Sequence, residues 1–189
     1  MTATFTFQPT SADAGSNYLV ILDAYNNAAT NHSTWNIYVP NPAERQIIIS
    51  EFLANPTTDT NSPYFNPLHR DPASTNAAAH DEFVEIVNLA NTDLDLVGWT
   101  IADDVAVRHT FFNSLSLQSS NAVIVYGGPL NGFLPNLPVP STPLNPGGGA
   151  LSVFNNTGDS IVLRNANSNL VVRVVYGVTS STNGISLTR

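Results

Sequence analysis

The sequence predicts an all-β fold of the antiparallel sandwich or barrel kind. Three observations carry this: short runs rich in Val, Ile, Phe, Tyr and Thr recur, clusters of Gly, Pro, Asn and Asp separate them, and no stretch sustains a 3.6-residue apolar period. Strands are expected near 3–8, 17–25, 33–39, 46–54, 82–89, 95–102, 107–112, 121–127, 150–154, 159–165, 169–176 and 184–188. The helical turn expected lies near Ala77 to His80. Two connections are long, 55–81 and 128–149, the second closing on Gly147-Gly148-Gly149. Connections beyond about 12–15 residues are usually functional or lack fixed structure.

Val39-Pro-Asn-Pro-Ala-Glu44 interrupts strand pairing twice with proline, as a linker or sheet-switching bend would. It divides the chain into a short three-stranded β segment, residues 1–42, and a main body, residues 43–189. About forty residues in three strands cover only one side of a core, so Leu19, Ile21, Trp35 and Ile37, or their opposite-face neighbours, need cover. Exposed strand edges favour pairing with a second copy, and self-association through residues 1–42 is therefore expected.

Composition narrows the function classes. The basic residues are Arg45, Arg70, Arg108, Arg164, Arg173 and Arg189, lysine is absent, and the net charge is −8. Nucleic-acid binding is disfavoured, because neutralising phosphates needs a cationic face. The same balance disfavours anionic membrane surfaces, and no apolar run approaches the roughly 18 residues of a membrane span. The start, MTATFTFQPT, shows neither the charged n-region nor the h-region of a signal peptide. With no cysteine, disulfides, thiolate nucleophiles and Cys-ligated zinc are excluded together. Only 11% of residues are charged against 42% hydrophobic, so Asn, Ser and Thr must cover the surface. An extracellular or cell-surface location is the expectation from that surface.

From Asp81 the chain reads DEFVEIVNLANTDLDLVGWTI, and IIISEFLAN precedes it at 47–55. Later come HTFF from His109, LSLQSSNAVIV from Leu115, NTGDSIVLR from Asn156, and the run Leu170 to Tyr176. This ordered series, over about three quarters of the chain, resembles the lamin tail domain family, with Phe83, Val84, Ile86, Asn88, Asn91, Leu96, Gly98, Trp99 and Ile101 as its signature positions. The resemblance implies an immunoglobulin-like β-sandwich and, in bacteria, a module carried by multidomain exported proteins. Bacterial relatives often carry a calcium-type loop before the DEFV strand; here the loop from Asn55 to His80 lacks D-x-[DN]-x-[DN]-G spacing. The turns at Phe112-Asn113-Ser114 and Gln118-Ser119-Ser120 also depart from the family's proline and glycine. Before the body, Asp13-Ala-Gly-Ser-Asn-Tyr18 looks like the tyrosine-corner turn of bacterial Ig-like repeats with one extra residue, which makes residues 1–42 resemble the closing strands of such a repeat.

The same residues can be read without the family. Val84 and Ile86 alternate with Phe83, Glu85 and Val87, giving one core face and one half-covered face. Trp99, between Gly98 and Ile101, is expected to anchor the core beside Val84 or Ile86 and Val123 or Val125. Asn88, at a strand end, is expected to bond local backbone.

The sequence shows none of the common catalytic constellations. HDEFV from His80 lacks the second histidine of a zincin, and no G-x-S-x-G elbow, P-loop or dinucleotide fingerprint occurs. Of the four histidines, only His69 and His80 are grouped, at the ends of one loop. Glu82 and Glu85 point to opposite faces of a strand, Glu51 is the better carboxylate partner for either, and Asp103-Asp104 form a second acidic spot in a turn. The metal candidates are Asp59, Asp71, Asp81 and Glu82, with His69 and His80 also on the loop. Calcium is the ion they would take, but it wants roughly six to eight oxygens and no spacing here gathers them, so no cofactor is expected. The leading function is thus a non-catalytic binding or spacer module of a larger protein. A calcium-dependent adhesion or carbohydrate-binding domain is the alternative, and a hydrolase comes last.

Overall fold

A computed structural model describes residues 6–25, 30–65, 70, 77–127, 141–143, 154–177, 184 and 186–188, with backbone alone over 22–25, 30–32 and 141–143. Its strands are β1 (Asn17–Tyr25), β2 (Thr30–Tyr38), β3 (Ile47–Leu53), β4 (Phe83–Asn88), β5 (Leu94–Asp95), β6 (Thr100–Ala102), β7 (Val107–Thr110), β8 (Ser116–Leu117), β9 (Ala122–Tyr126), β10 (Ser141–Pro143), β11 (Gly158–Arg164), β12 (Leu170–Gly177) and β13 (Leu187–Thr188). Strands hold 44% of the chain and helix almost none. The helical turn expected near Ala77 is a 3-10 turn over Ala77–Asp81.

Two sheets carry the body. One has the order β10-β9-β4-β3-β13 and the other β12-β11-β6-β7, while β5 pairs with β8 and β1 with β2. All pairings are antiparallel except β10 with β9. Along β4 the side chains of Val84, Ile86 and Asn88 are buried, and those of Phe83, Glu85 and Val87 stand on the half-covered face. This period-2 alternation joins Val84 and Ile86 to Ile47, Ile49 and Phe52 of β3, Val123 and Val125 of β9, and Ile101, Ile161 and Leu163 of the facing sheet in one core. Trp99, 4% exposed, lies in that core.

β3 keeps its apolar residues inward through a bulge. Ile49 faces Ile86 and Glu51 faces Glu85, which leaves Ser50 as the extra residue. The insertion resets the alternation, so Ile47 and Ile49 before it and Phe52 after it all reach the core.

The strand expected over 95–102 is split. Leu96 accepts from the Trp99 amide at 2.9 Å, and Gly98 sits at φ +77° with its amide donating to the Phe111 carbonyl at 2.8 Å. A Cβ at Gly98 would meet the Ala166 Cβ at 3.1 Å, so both the turn and the close approach of Ala166 select glycine. The turn swings Trp99 inward and restarts the strand at Thr100.

In the N-terminal segment the second and third expected strands are β1 and β2, and the first is described only over residues 6–8. Residues 6–8 are not strand; Phe7 instead packs its ring on Tyr18, centroids 5.1 Å apart. Pro9 and the turn closed by Asp13, whose carboxylate accepts from the Thr10 amide at 2.7 Å and the Thr10 hydroxyl at 2.8 Å, bend the chain out of register with β1. Residues 3–5 of that expected strand, and 150–153 of a later one, lie outside the described residues. What remains is the β1–β2 hairpin. Its Tyr18 hydroxyl donates to the Asp13 carboxylate, the Gly15 amide donates to the Val39 carbonyl at 2.7 Å, and the Val39 amide donates to the Ser16 carbonyl at 3.0 Å.

Candidate functional site

The described residues of the connection after β3 include a lobe that packs against Phe83, on the half-covered face of the five-stranded sheet. Tyr64 stacks on Phe83 with centroids 5.9 Å apart, and its hydroxyl shares a hydrogen bond of 2.6 Å with Ser186 and donates to Glu51 at 3.3 Å. Arg70 lies 4.3 Å above the Phe65 ring, donates to the Thr57 carbonyl at 2.8 Å, and pairs with buried Asp81 at 2.6 Å.

Of the four metal candidates, Asp59, Asp81 and Glu82 are described, and these three are not grouped. Asp59 is exposed and caps its own turn by accepting from the Asn61 amide at 2.9 Å. Asp81 is neutralised by Arg70. Glu82 is buried and accepts from the Phe154 amide at 3.1 Å, on the core side of the sheet. Asp71 and His69 lie outside the described residues, and His80 is fully buried. Among the described residues no three His, Asp or Glu side chains are grouped to hold a cation.

Glu51 and Glu85 face each other across β3 and β4. Between them Ser50, set out by the bulge, donates to Glu85 at 2.5 Å. The serine's proton is given to a carboxylate, and no imidazole among the described residues is bonded to it, so the described residues there do not assemble the nucleophile–base–orienter chain of acyl transfer. Glu82 and Glu85 lie on opposite sides of the strand, Glu82 buried and Glu85 half-buried.

The second acidic spot is structural in its bonding. Asp103 accepts from the Val105 and Ala106 amides at 2.8 and 2.6 Å and pairs with Arg108 at 2.5 Å. Asp104 accepts from Ser160 and from Arg173 at 2.9 Å. Burial pushes the Asp103 carboxyl upward, but the Ala106 amide, Arg108 and the Val105 amide outweigh it and hold the group below the ordinary carboxylate value. A folded-state value below the unfolded one stabilises the fold at neutral pH, and that contribution is lost as pH falls through about 3.9 and then through the lower folded value. Asp103→Asn is therefore expected to flatten the fall of melting temperature between pH 5 and 2, read by circular dichroism. An unchanged acid limb would contradict it.

Hairpin and body meet at a buried clasp. Tyr38 donates to Glu44, and Asn165 donates to the Tyr38 hydroxyl at 3.0 Å and to the second Glu44 oxygen at 2.9 Å. Glu44 and Asn41 bond each other's backbone amides reciprocally, at 3.2 and 2.9 Å, in the manner of a capping box leading into the 3-10 turn Glu44–Gln46. Burial and the Glu44 bond push the Tyr38 hydroxyl up to about 12. Glu44 and Asn165, both buried, had not stood out in the sequence, although N-P-A-E is a readable capping signal.

The signature residues hold the frame. Asn88 is fully buried; it donates to the Thr92 and Leu117 carbonyls, both at 2.9 Å, and accepts from the Ala90 amide at 2.9 Å. It thus ties its own turn to the strand β8, a reach beyond the local bonding expected. Sandwich, core tryptophan and turn asparagine define an Ig-like β domain. The chain belongs to the lamin tail domain family, whose model matches residues 40–178. That family is a non-catalytic Ig-like one. No curated protein matches the chain.

Proposed function

We propose that the chain is a non-catalytic binding and spacer module of a larger secreted or cell-surface bacterial protein, working without a cofactor. One observation carries the reading: the described carboxylates that could serve chemistry are engaged by the fold itself, Asp81 by Arg70, Asp103 by Arg108, Asp104 by Ser160 and Arg173, and Glu82 by a backbone amide. The charge-poor surface, covered by Asn, Ser and Thr in place of lysine, supports an exported setting. Neither nucleic acid nor membrane insertion is part of it. Equal melting temperatures in calcium and in chelator are the expected result, since a cation bound only by the native state must raise them. A calcium-dependent rise, or glycan binding that needs calcium, would replace this reading with the adhesion alternative.

A further inference from the structure

Between the hairpin and the sandwich lies a cleft of about 620 Å³, walled by Asn17, Asn36 and Tyr38 on one side and by Arg164, Ser168, Asn169 and Leu170 on the other. That volume is within the range of ligand sites. We infer that this cleft binds an extended, carboxylate-bearing peptide segment, with Arg164 receiving the carboxylate; the inference rests on reading the chain as a binding module.

The wall chemistry selects the ligand. Three carboxamides line it, and each presents a donor and an acceptor in one plane, the complement of the N–H and C=O of an extended backbone. Arg164 donates through Nη1 to the Ser168 carbonyl at 3.1 Å and enters none of the ion pairs among the described residues, whereas Arg70, Arg108 and Arg173 each hold an aspartate. The rest of its fork is suited to a carboxylate. No described lining residue is acidic, and the neighbouring Glu44 turns its oxygens to Tyr38, Asn41 and Asn165. Arg45 is likewise outside these ion pairs, but it does not line the cleft.

Two further features agree. The Asn169 amide nitrogen is buried and has no hydrogen-bond partner among the described residues, a costly state that rotation about χ2 toward a ligand acceptor would relieve. Strand alternation and the pairing of Leu19 with Asn36 put Leu19 and Ile21 on the hairpin face that carries Asn17 and Asn36. At 61% and 56% exposed, with Leu170 at 46%, they extend the polar floor into an apolar ledge fit for aliphatic side chains. A saccharide would call for a free aromatic face. The ring on the described wall, Tyr38, has its hydroxyl tied inward to Glu44.

The test is fluorescence anisotropy on the full chain with a library of labelled hexapeptides rich in aliphatic residues, made in four arms: free or amidated C-terminus, with or without an internal glutamate. Binding is expected only in arms that carry a carboxylate, and the responding arm tells a chain terminus from an acidic side chain. Arg164→Gln should weaken it about tenfold or more with unchanged melting temperature, and added salt should weaken it too. Leu19→Ser should also weaken it. No change in any arm up to millimolar protein, or binding untouched by Arg164→Gln, would overturn the inference. So would a dimer in light scattering that Leu19→Ser disperses, because the cleft face would then belong to a second copy. None of these failures touches the module reading, which falls only on calcium-linked stability or calcium-dependent glycan binding.

Discussion

Trp99→Ala is expected to lower the free energy of unfolding by about 3–5 kcal/mol, the range of large aromatic truncations in a packed core. The indole is 4% exposed and shares its cluster with Val84, Ile86, Val123 and Val125, contributed by two strands of one sheet, and with Ile101, Ile161 and Leu163 of the other. Deleting it leaves a cavity between sheets that are held by many partners, so collapse recovers little of the lost contact. Urea denaturation followed by circular dichroism measures the change. A cost below about 1 kcal/mol, the level of ordinary surface substitutions, would mean that the indole does not bridge the sheets.

Arg70→Met is expected to cost about 3–5 kcal/mol, because it strands the Asp81 carboxylate, whose side chain is 2% exposed, without its countercharge. It also removes the stack on Phe65 and the bond to the Thr57 carbonyl, which fasten the lobe to itself. Adding Asp81→Asn should recover much of the loss, since the second change removes the charge rather than a contact. A double-mutant cycle in urea reads the coupling. If the two changes are additive, the pair does not act as a unit and the lobe is held by its aromatic contacts alone.

Legibility in the sequence followed the reach of each interaction. The alternation of Phe83–Asn88 and the Gly98-Trp99 turn are local patterns, and the structure places Val84, Ile86 and Trp99 in the core, as their spacing implied. The Ser50 bulge was not legible, because Ile47–Leu53 reads as apolar on both faces and a single inserted residue leaves no mark in such a run. Arg70 and Asp81 are 11 residues apart in a loop with no period, so only the path of the chain brings them together. The clasp is more distant still, with Asn165 and Glu44 separated by 121 residues. Its local half, the capping box from Asn41 to Glu44, could have been read, and it marks the boundary between hairpin and body better than the prolines do. The cleft follows from the clasp, since its two walls face each other only when the hairpin is set against the β11–β12 turn.

The hairpin is a fixed part of the module, held by Tyr38, Glu44 and Asn165 while the sandwich carries the core. Native-state hydrogen exchange on the full chain tests this directly. The Val39 amide, bonded to the Ser16 carbonyl at 3.0 Å, is expected to be protected together with amides paired between β3 and β4, and Asn165→Ala should release Val39 and the β1–β2 amides while β4 and β9 stay protected. Free exchange at Val39 and throughout β1 and β2 in the unaltered chain, with the sandwich fully protected, would contradict it.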